Sequence, residues 1–394
     1  MKKIYFDYGA STPIDKEVLG AMLPFLKQEY GNPSSLHALG QNAMAAIDRA
    51  RLVVAEFLDC SADEIFFTSG ATEANNMVIQ GVFGNLVSKS LETKFPNGKA
   101  HIITSAIEHE SVLEVCRNLE KEGKAEVTYL GVTPQGKVQI EDVENALRPE
   151  TMLVSLQYGN SEIGCVQNIR DIGFLLRRRA VLFHTDAVQA TNYLDCRVSE
   201  LNVNFLTLSS HKIYGPKGAG VVYIRKSSSI SPIFVGGGQE AGMRSGTENV
   251  AAIVGMGKAI ELLLRPRTKL LSITIRHMRD KLIKGVLKRV KGSQLTGSLE
   301  GRLPNNAHFT FEGVEGKDVV MLLDQKGVLT STGSACSERS KEPSHVLLAL
   351  GMKPSKALSS VRFSLGKYTR EEDITKVLKV LPQTIDQLRK VSVK

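Results

Sequence analysis

Lys212 stands just past the apolar run Phe205-Leu206-Thr207-Leu208, at the end of Ser209-Ser210-His211-Lys212, and Tyr-Gly-Pro-Lys-Gly follows it. That sequence turns the backbone tightly. A lysine enclosed by such a turn is partly desolvated, which favours the neutral amine and suits Schiff-base chemistry with a carbonyl compound. Alone, a lysine past a strand end reads more readily as a plain surface residue. A second group changes the balance. His184-Thr185-Asp186-Ala187-Val188-Gln189 ends an earlier apolar run. Asp186 could simply cap the next helix. It could also face a heteroaromatic nitrogen and keep it protonated, the service that pyridoxal phosphate needs if its ring is to accept electrons. Gln189 lies within reach of the same ring's hydroxyl.

An anion site completes the set. Thr68-Ser69-Gly70-Ala71-Thr72-Glu73 reads as strand, turn and helix start. The free backbone N–H groups and the positive end of the helix, near Ala71 and Thr72, attract a phosphate. Thr72 adds a hydroxyl. Ser209, His211 and the segment Arg244-Ser245-Gly246-Thr247 are further phosphate candidates. His109 begins a helix after the strand-like HIITSA; it is either a helix-start histidine with no task or a ring stacked on the cofactor.

These residues sit where an α/β fold gathers its ligands. Apolar runs at 65–68, 101–105, 126–130, 152–157, 181–185, 205–208 and 220–224 alternate with amphipathic stretches at 111–121, 140–147 and 169–179. That alternation predicts a mostly parallel seven-stranded sheet covered on both faces, with polar residues of interest at the carboxyl ends of its strands. After residue 263 the texture changes: a long basic helix, the strand AHFTFEG, a helix near 317–326, the strand SSVRFSLG and a last helix from Arg370. The reading is a large domain over 16–262 and a smaller α+β domain formed by 1–15 with 263–394. A length of 394 residues suits two lobes.

Composition narrows the class. The chain is 42% hydrophobic and 23% charged, with no run of 18 uncharged apolar residues, so a membrane-spanning role is excluded as an expectation. The opening MKKIYFDYGA lacks the apolar core of a secretory signal. Five cysteines are scattered without a CxxC pair, which fits a reducing cytoplasm. The net charge is +9, and between Arg265 and Lys291 ten Lys or Arg face one acid, Asp280. A solvated helix face is the plainer account of that run. It contains little aromatic interleaving, so direct nucleic-acid binding is not supported.

One cysteine differs from the rest. Cys336 lies in Thr330-Ser331-Thr332-Gly333-Ser334-Ala335-Cys336-Ser337-Glu338-Arg339. The segment is small and polar, where a structural cysteine prefers apolar surroundings. An exposed, reactive thiol is the expectation.

Together the stretches FDYGAST, GNPSS, TSGATEANN, EHES, NSEIGCVQ, HTDAVQ, SSHKIYGPKG, MRSGTEN, STGSACS and SSVRFSLG, in order from residue 6 to 366, resemble the cysteine desulfurases. These belong to the class V aminotransferase superfamily of fold-type I pyridoxal phosphate enzymes. The resemblance implies Lys212 as covalent anchor, Asp186 on the pyridinium nitrogen, Gln189 on the phenolate oxygen and His109 stacked on the ring. It implies Ala71, Thr72, Ser209 and His211 around the phosphate, with Thr247 arriving from the second subunit of a homodimer. Arg362 would clamp the α-carboxylate of L-cysteine, a task that suits a bidentate guanidinium. Asn32 and Asn160 would help fix substrate and cofactor.

Cys336 would attack the substrate sulfur and leave as a persulfide, to be passed to an iron–sulfur scaffold or a tRNA-thiolation enzyme. No intrinsic metal site is implied, although Cys336 would be placed to ligate a transient iron–sulfur cluster with a scaffold partner. Six positions separate Cys336 from Glu342 of the EPS signature, a spacing that resembles the longer-looped, iron–sulfur-assembly branch. The chain ends at Lys394, soon after the helix around Ile385, which leaves the mode of scaffold docking open. Two alternatives stand beside this reading: a selenocysteine lyase or other C–S lyase on the same cofactor, and a non-catalytic scaffold or RNA adaptor.

Overall fold

The computed structural model describes residues 3–84, 99–333 and 342–392. Its strands are β1 (Ile4–Tyr5), β2 (Ile65–Thr68), β3 (Ala100–Ser105), β4 (Ala125–Leu130), β5 (Thr151–Ser155), β6 (Leu182–Asp186), β7 (Phe205–Ser209), β8 (Gly220–Ile224), β9 (Ser293–Leu295), β10 (Asn306–Phe311), β11 (Val328–Leu329) and β12 (Ser360–Ser364). Its α-helices are α1 (Lys16–Lys27), α2 (Ala38–Leu58), α3 (Ala71–Gly84), α4 (Glu110–Lys121), α5 (Ile140–Ala146), α6 (Ile169–Arg178), α7 (Val198–Leu201), α8 (Val250–Leu264), α9 (Pro266–Arg289), α10 (Gly316–Gln325), α11 (His345–Ala349), α12 (Pro354–Leu358) and α13 (Glu371–Ser392).

A seven-stranded sheet in the order β2-β8-β7-β6-β5-β3-β4 forms the centre. The neighbours from β7 to β4 pair in parallel, whereas β8 is antiparallel to both β7 and β2. The seven apolar runs of the sequence are these seven strands, shifted by two residues at most.

Successive residues of a strand point to opposite faces, and the core divides accordingly. Ile102 and Leu153 pack with α3 and α4. Their neighbours Ile103 and Val154 pack on the other face with α1, α2, α6 and α8. Burial on both faces explains why β8 reads as a near-continuous apolar run rather than an alternating one.

A second core lies around the three-stranded sheet β12-β10-β9. Phe309, Phe311, Val361 and Phe363 meet Leu282 and Val286 of α9 and Val377 and Leu381 of α13. Ile4 and Phe6 join this core although they begin the chain, and β1 pairs in parallel with β11. The basic helix α9 is not a uniformly solvated face: Arg279 is buried, with its guanidinium on Asp280 and the Leu303 carbonyl. Among the described residues no helix is long and apolar enough to cross a membrane.

Candidate active site

A cavity of about 430 Å³ opens where β2, β6 and β7 end and where β12 arrives from the second core. Its size is that of an ordinary small-molecule site. Lys212, Asp186, Gln189, His109, Ala71, Thr72, Ser209, His211 and Arg362 all line it. Residues that lie up to 291 positions apart in the chain therefore share one wall.

The lysine follows β7 directly, in a short 3-10 turn over Ser210–Lys212. Its Nζ donates to the carbonyls of Gly9 at 2.6 Å and Ala10 at 2.7 Å. Gln189 Nε2 donates to the same Gly9 carbonyl at 3.0 Å. The FDYGAST stretch thus forms the floor beneath the amine. Asp186 is the last residue of β6 and is 8% exposed. Its Oδ1 accepts from the Val188 N–H at 3.0 Å and its Oδ2 from Asn75 Nδ2 at 2.9 Å.

Asn75 also donates to Ser111 Oγ at 2.9 Å, and that hydroxyl is 2.8 Å from His109 Nδ1. The Ser111 N–H donates to the same Nδ1 at 3.1 Å, which makes His109 the N-cap of α4. Because Nδ1 accepts a backbone N–H, the ring proton of neutral His109 is on Nε2. Asp186, Asn75, Ser111 and His109 therefore form one hydrogen-bonded chain. Asn75 was not singled out from the sequence; its signal was its place one turn into the helix that starts at the anion-binding turn.

That turn is shaped by Glu73. Its carboxylate accepts from the N–H and hydroxyl of Ser69 and from Arg244 Nε at 2.8 Å. Burial opposes ionisation, yet these bonds hold the Glu73 carboxyl below its usual range. Arg244 is thus spent on Glu73 rather than offered to a phosphate. A Cβ on Gly220 would come within 2.6 Å of the Gly70 Cα, so β8 needs glycine where it passes the turn. His211 bonds Ser11 Oγ through Nδ1 at 3.2 Å, and burial, then Lys212 and Lys217, push its pKa down to about 4. It faces the cavity as a neutral ring.

Arg362 closes the opposite wall, in the middle of β12, with its side chain 2% exposed. Nη2 donates to Asp7 Oδ1 at 2.7 Å and Nη1 to the Ser161 carbonyl at 2.9 Å. Nε has no acceptor among the described residues. The guanidinium is oriented by two bonds and keeps N–H groups for an incoming carboxylate.

Three of the expected residues are not in the cavity wall. Asn160 is buried, with Nδ2 on the Ile107 carbonyl and Oδ1 on the N–H groups of Glu162 and Ile163. Asn32 is exposed, with Oδ1 on the Ser34 N–H. Thr247 is exposed. Cys336 lies outside the described residues. Cys60, Cys116, Cys165 and Cys196 are free thiols, and burial pushes each up to about 12. Two buried carboxyls flank the cavity behind its wall. Burial raises Glu108 to about 8 and Glu162 to about 7.

An amine at a strand end, a carboxylate on the neighbouring strand end and a helix-start anion cradle, all on one cavity, fit pyridoxal phosphate in the chemistry of their donors. The fold and this site define a fold-type I pyridoxal phosphate enzyme. Comparison with known proteins is narrower. The model of the family "Aminotransferase class-V" matches residues 4–377. The chain is 47% identical over 391 residues to a cysteine desulfurase IscS of Dictyoglomus turgidum, covering 99% of this chain and 96% of that one. It is 44% identical to a cysteine desulfurase IscS of Methanosarcina thermophila, over 99% of this chain and 94% of that one. A solved NifS-like protein superposes with a TM-score of 0.90 at 35% identity, covering 98% of this chain and all, 100%, of that one. A structure described as SspA in complex with cysteine gives 0.80 at 36% identity, over 94% and 100% of the two chains. The chain belongs to the class-V aminotransferase family and, within it, to the cysteine desulfurases.

Proposed function

We propose that the protein removes sulfur from L-cysteine with pyridoxal phosphate, releases L-alanine and passes the sulfur on as a persulfide of Cys336. The observation that carries this reading is the single cavity that joins Lys212 and Asp186 on one side to Arg362 on the other. When bound, pyridoxal phosphate supplies an electron sink for negative charge at the substrate α-carbon. Lys212 would anchor it, and the Lys212 amine would take the α-proton of the bound substrate. Asp186, held by Asn75 and the Val188 N–H, keeps its charge directed at the ring nitrogen. Gln189 serves the phenolate oxygen. Ala71, Thr72, Ser209 and His211 hold the phosphate, and His109 covers the ring with its Nε2 proton available to the substrate. Arg362 binds the α-carboxylate, and Asn160 holds the segments on either side.

Cys336 then takes the substrate sulfur. The C–S bond breaks, an S–S bond forms, and the carbon side regains a proton, so that cysteine and an enzyme thiol become alanine and an enzyme persulfide with no outside oxidant. The choice of thiol is supported by the other four cysteines, whose burial disfavours the thiolate that nucleophilic attack needs. The sulfur acceptor is an iron–sulfur scaffold or tRNA-thiolation protein, in line with the EPS spacing.

A homodimer is part of the same reading. Leu19, Leu23 and Leu26 form an exposed apolar stripe along α1, and Tyr30 and Leu36 extend it. Thr247, exposed in one chain, would serve the phosphate of the other. Residues 16–262 act as the cofactor domain, and 1–15 with 263–394 as the small domain; the packing of Ile4 and Phe6 with α9 and α13 supports that division. The test is direct. Purified protein given pyridoxal phosphate, L-cysteine and a thiol reductant should release L-alanine and sulfide in equal amounts. Pyruvate and ammonia in place of alanine, or no turnover, would overturn the proposal.

A further inference from the structure

Glu162 has no role in the scheme above, yet it is a buried carboxylate, 1% exposed, at a junction of three segments. Its Oε2 accepts from Ser344 Oγ at 2.8 Å. Its Oε1 has no hydrogen-bond partner among the described residues and lies 2.7 Å from where a Cβ on Gly333 would be. The side chain is thus in contact with residues on both sides of the Cys336 segment, eight positions after and three before that cysteine.

The same junction reaches the cavity. Ser161, the preceding residue, accepts from Arg362 Nη1 through its carbonyl at 2.9 Å. The Gly333 N–H donates to Ser331 Oγ, and Ser331 and Arg362 exchange backbone hydrogen bonds at 3.3 and 2.7 Å. On the far side, His345 Nε2 lies 3.0 Å from the Glu108 carbonyl, next to His109. Glu162 itself is held from behind, because Asn160 Oδ1 accepts its N–H and Asn306 Nδ2 donates to its carbonyl, each at 2.9 Å.

The groups facing its carboxylate are His308 on β10, with Nε2 at 3.8 Å, Arg362 on β12 and the Ser344 hydroxyl. Burial and the cations Arg302 and Arg362 keep His308 neutral, near 3. A carboxyl placed here for stability alone would be a poor choice, since burying an ionisable group with one hydrogen-bonded oxygen is costly. Its two contacts instead join the chain on both sides of Cys336 to the segment that orients Arg362.

We propose that Glu162 is a positioning residue for sulfur transfer, tying Gly333 and Ser344, which flank the segment that carries Cys336, to the Ser161–Arg362 side of the cavity, and that this tie sets the rate at which sulfur passes to Cys336. The proposal rests on the desulfurase reading.

The test is Glu162→Gln in the holoenzyme at pH 8, above the value of about 7 to which burial raises the carboxyl, with the wild type run beside it. Cofactor content and the spectral change on adding L-cysteine should match the wild type, with KM within about 2-fold. The rate of persulfide formation on Cys336, and kcat with it, should fall roughly 10-fold, the scale of a lost charge-assisted hydrogen bond. Ser344→Ala should slow the same step, and Ser344→Thr, which keeps the hydroxyl and the cap of α11, should restore it. Should Glu162→Gln fail to fold, the Ser344 pair carries the test. Unchanged persulfide rates in these variants would overturn the inference, and so would a loss seen only in cysteine binding, which would assign Glu162 to the Arg362 clamp. A wild type that forms no persulfide on Cys336 would instead overturn the desulfurase reading itself.

Discussion

Replacing Arg362 by lysine keeps one positive charge and removes the planar fork. The guanidinium now spends one N–H on Asp7 and one on the Ser161 carbonyl, and its Nε has no acceptor among the described residues. An ammonium has three donors on a point charge and no fixed plane. Drawn to Asp7, it can hold that carboxylate or reach a substrate carboxylate in one-point fashion, but cannot reproduce the bidentate geometry. The loss is one charge-assisted hydrogen bond, about 1.5–3 kcal/mol. At about 1.4 kcal/mol per decade that is roughly a 10- to 150-fold rise in KM. The effect falls on binding, so kcat should change by only a few-fold. The assay is alanine release against L-cysteine concentration, with cofactor content measured alongside. An unchanged KM would refute the assignment of Arg362 as carboxylate clamp, and so would a kcat lowered 100-fold at constant KM.

Asn75→Ala removes the donor shared by Asp186 and Ser111. Loss of one buried partner costs about 1–3 kcal/mol, so pyridoxal phosphate should leave the variant faster on dialysis while the fold, followed by circular dichroism, is kept; retention equal to wild type would contradict the chain of bonds drawn here. Glu108→Gln tests burial at the site. The folded pKa of Glu108 is raised to about 8, so its favourable contribution is complete below the unfolded value of about 4.3 and is lost as pH rises through 8. Thermal melts should find the variant no more stable than wild type at pH 4–5 and increasingly more stable towards pH 8, whereas a constant difference would refute the shift. Borohydride reduction of the cofactor-loaded protein should fix the pyridoxyl group to the peptide containing Lys212, and Lys212→Ala should give no labelled peptide and no turnover; a label on another lysine would move the anchor.

The legible part of this protein was its strands and the residues just past them. β6, β7 and β8 are short apolar runs followed at once by polar residues, so the sequence alone puts Asp186 and Lys212 at strand ends. Arg362 was legible for a related reason: an arginine within SSVRFSLG is costly unless it has partners, and Asp7 and Ser161 supply them. What stayed hidden depends on contacts distant in sequence. Asn75 looks like any polar helix residue until β6 brings Asp186 against it. Glu108 and Glu162 sit in polar loops that gave no hint of full burial. β1, β9 and β11 have two or three residues each, too few to show a period, and their pairing is set by the second core rather than by local propensity.

The central claim is that sulfur moves from L-cysteine to Cys336. In a single turnover with excess enzyme and no reductant, one equivalent of L-cysteine should give one equivalent of L-alanine and one persulfide, mapped by mass spectrometry to the Cys336 peptide. A persulfide on Cys60, Cys116, Cys165 or Cys196, or alanine formed with none on Cys336, would contradict the account.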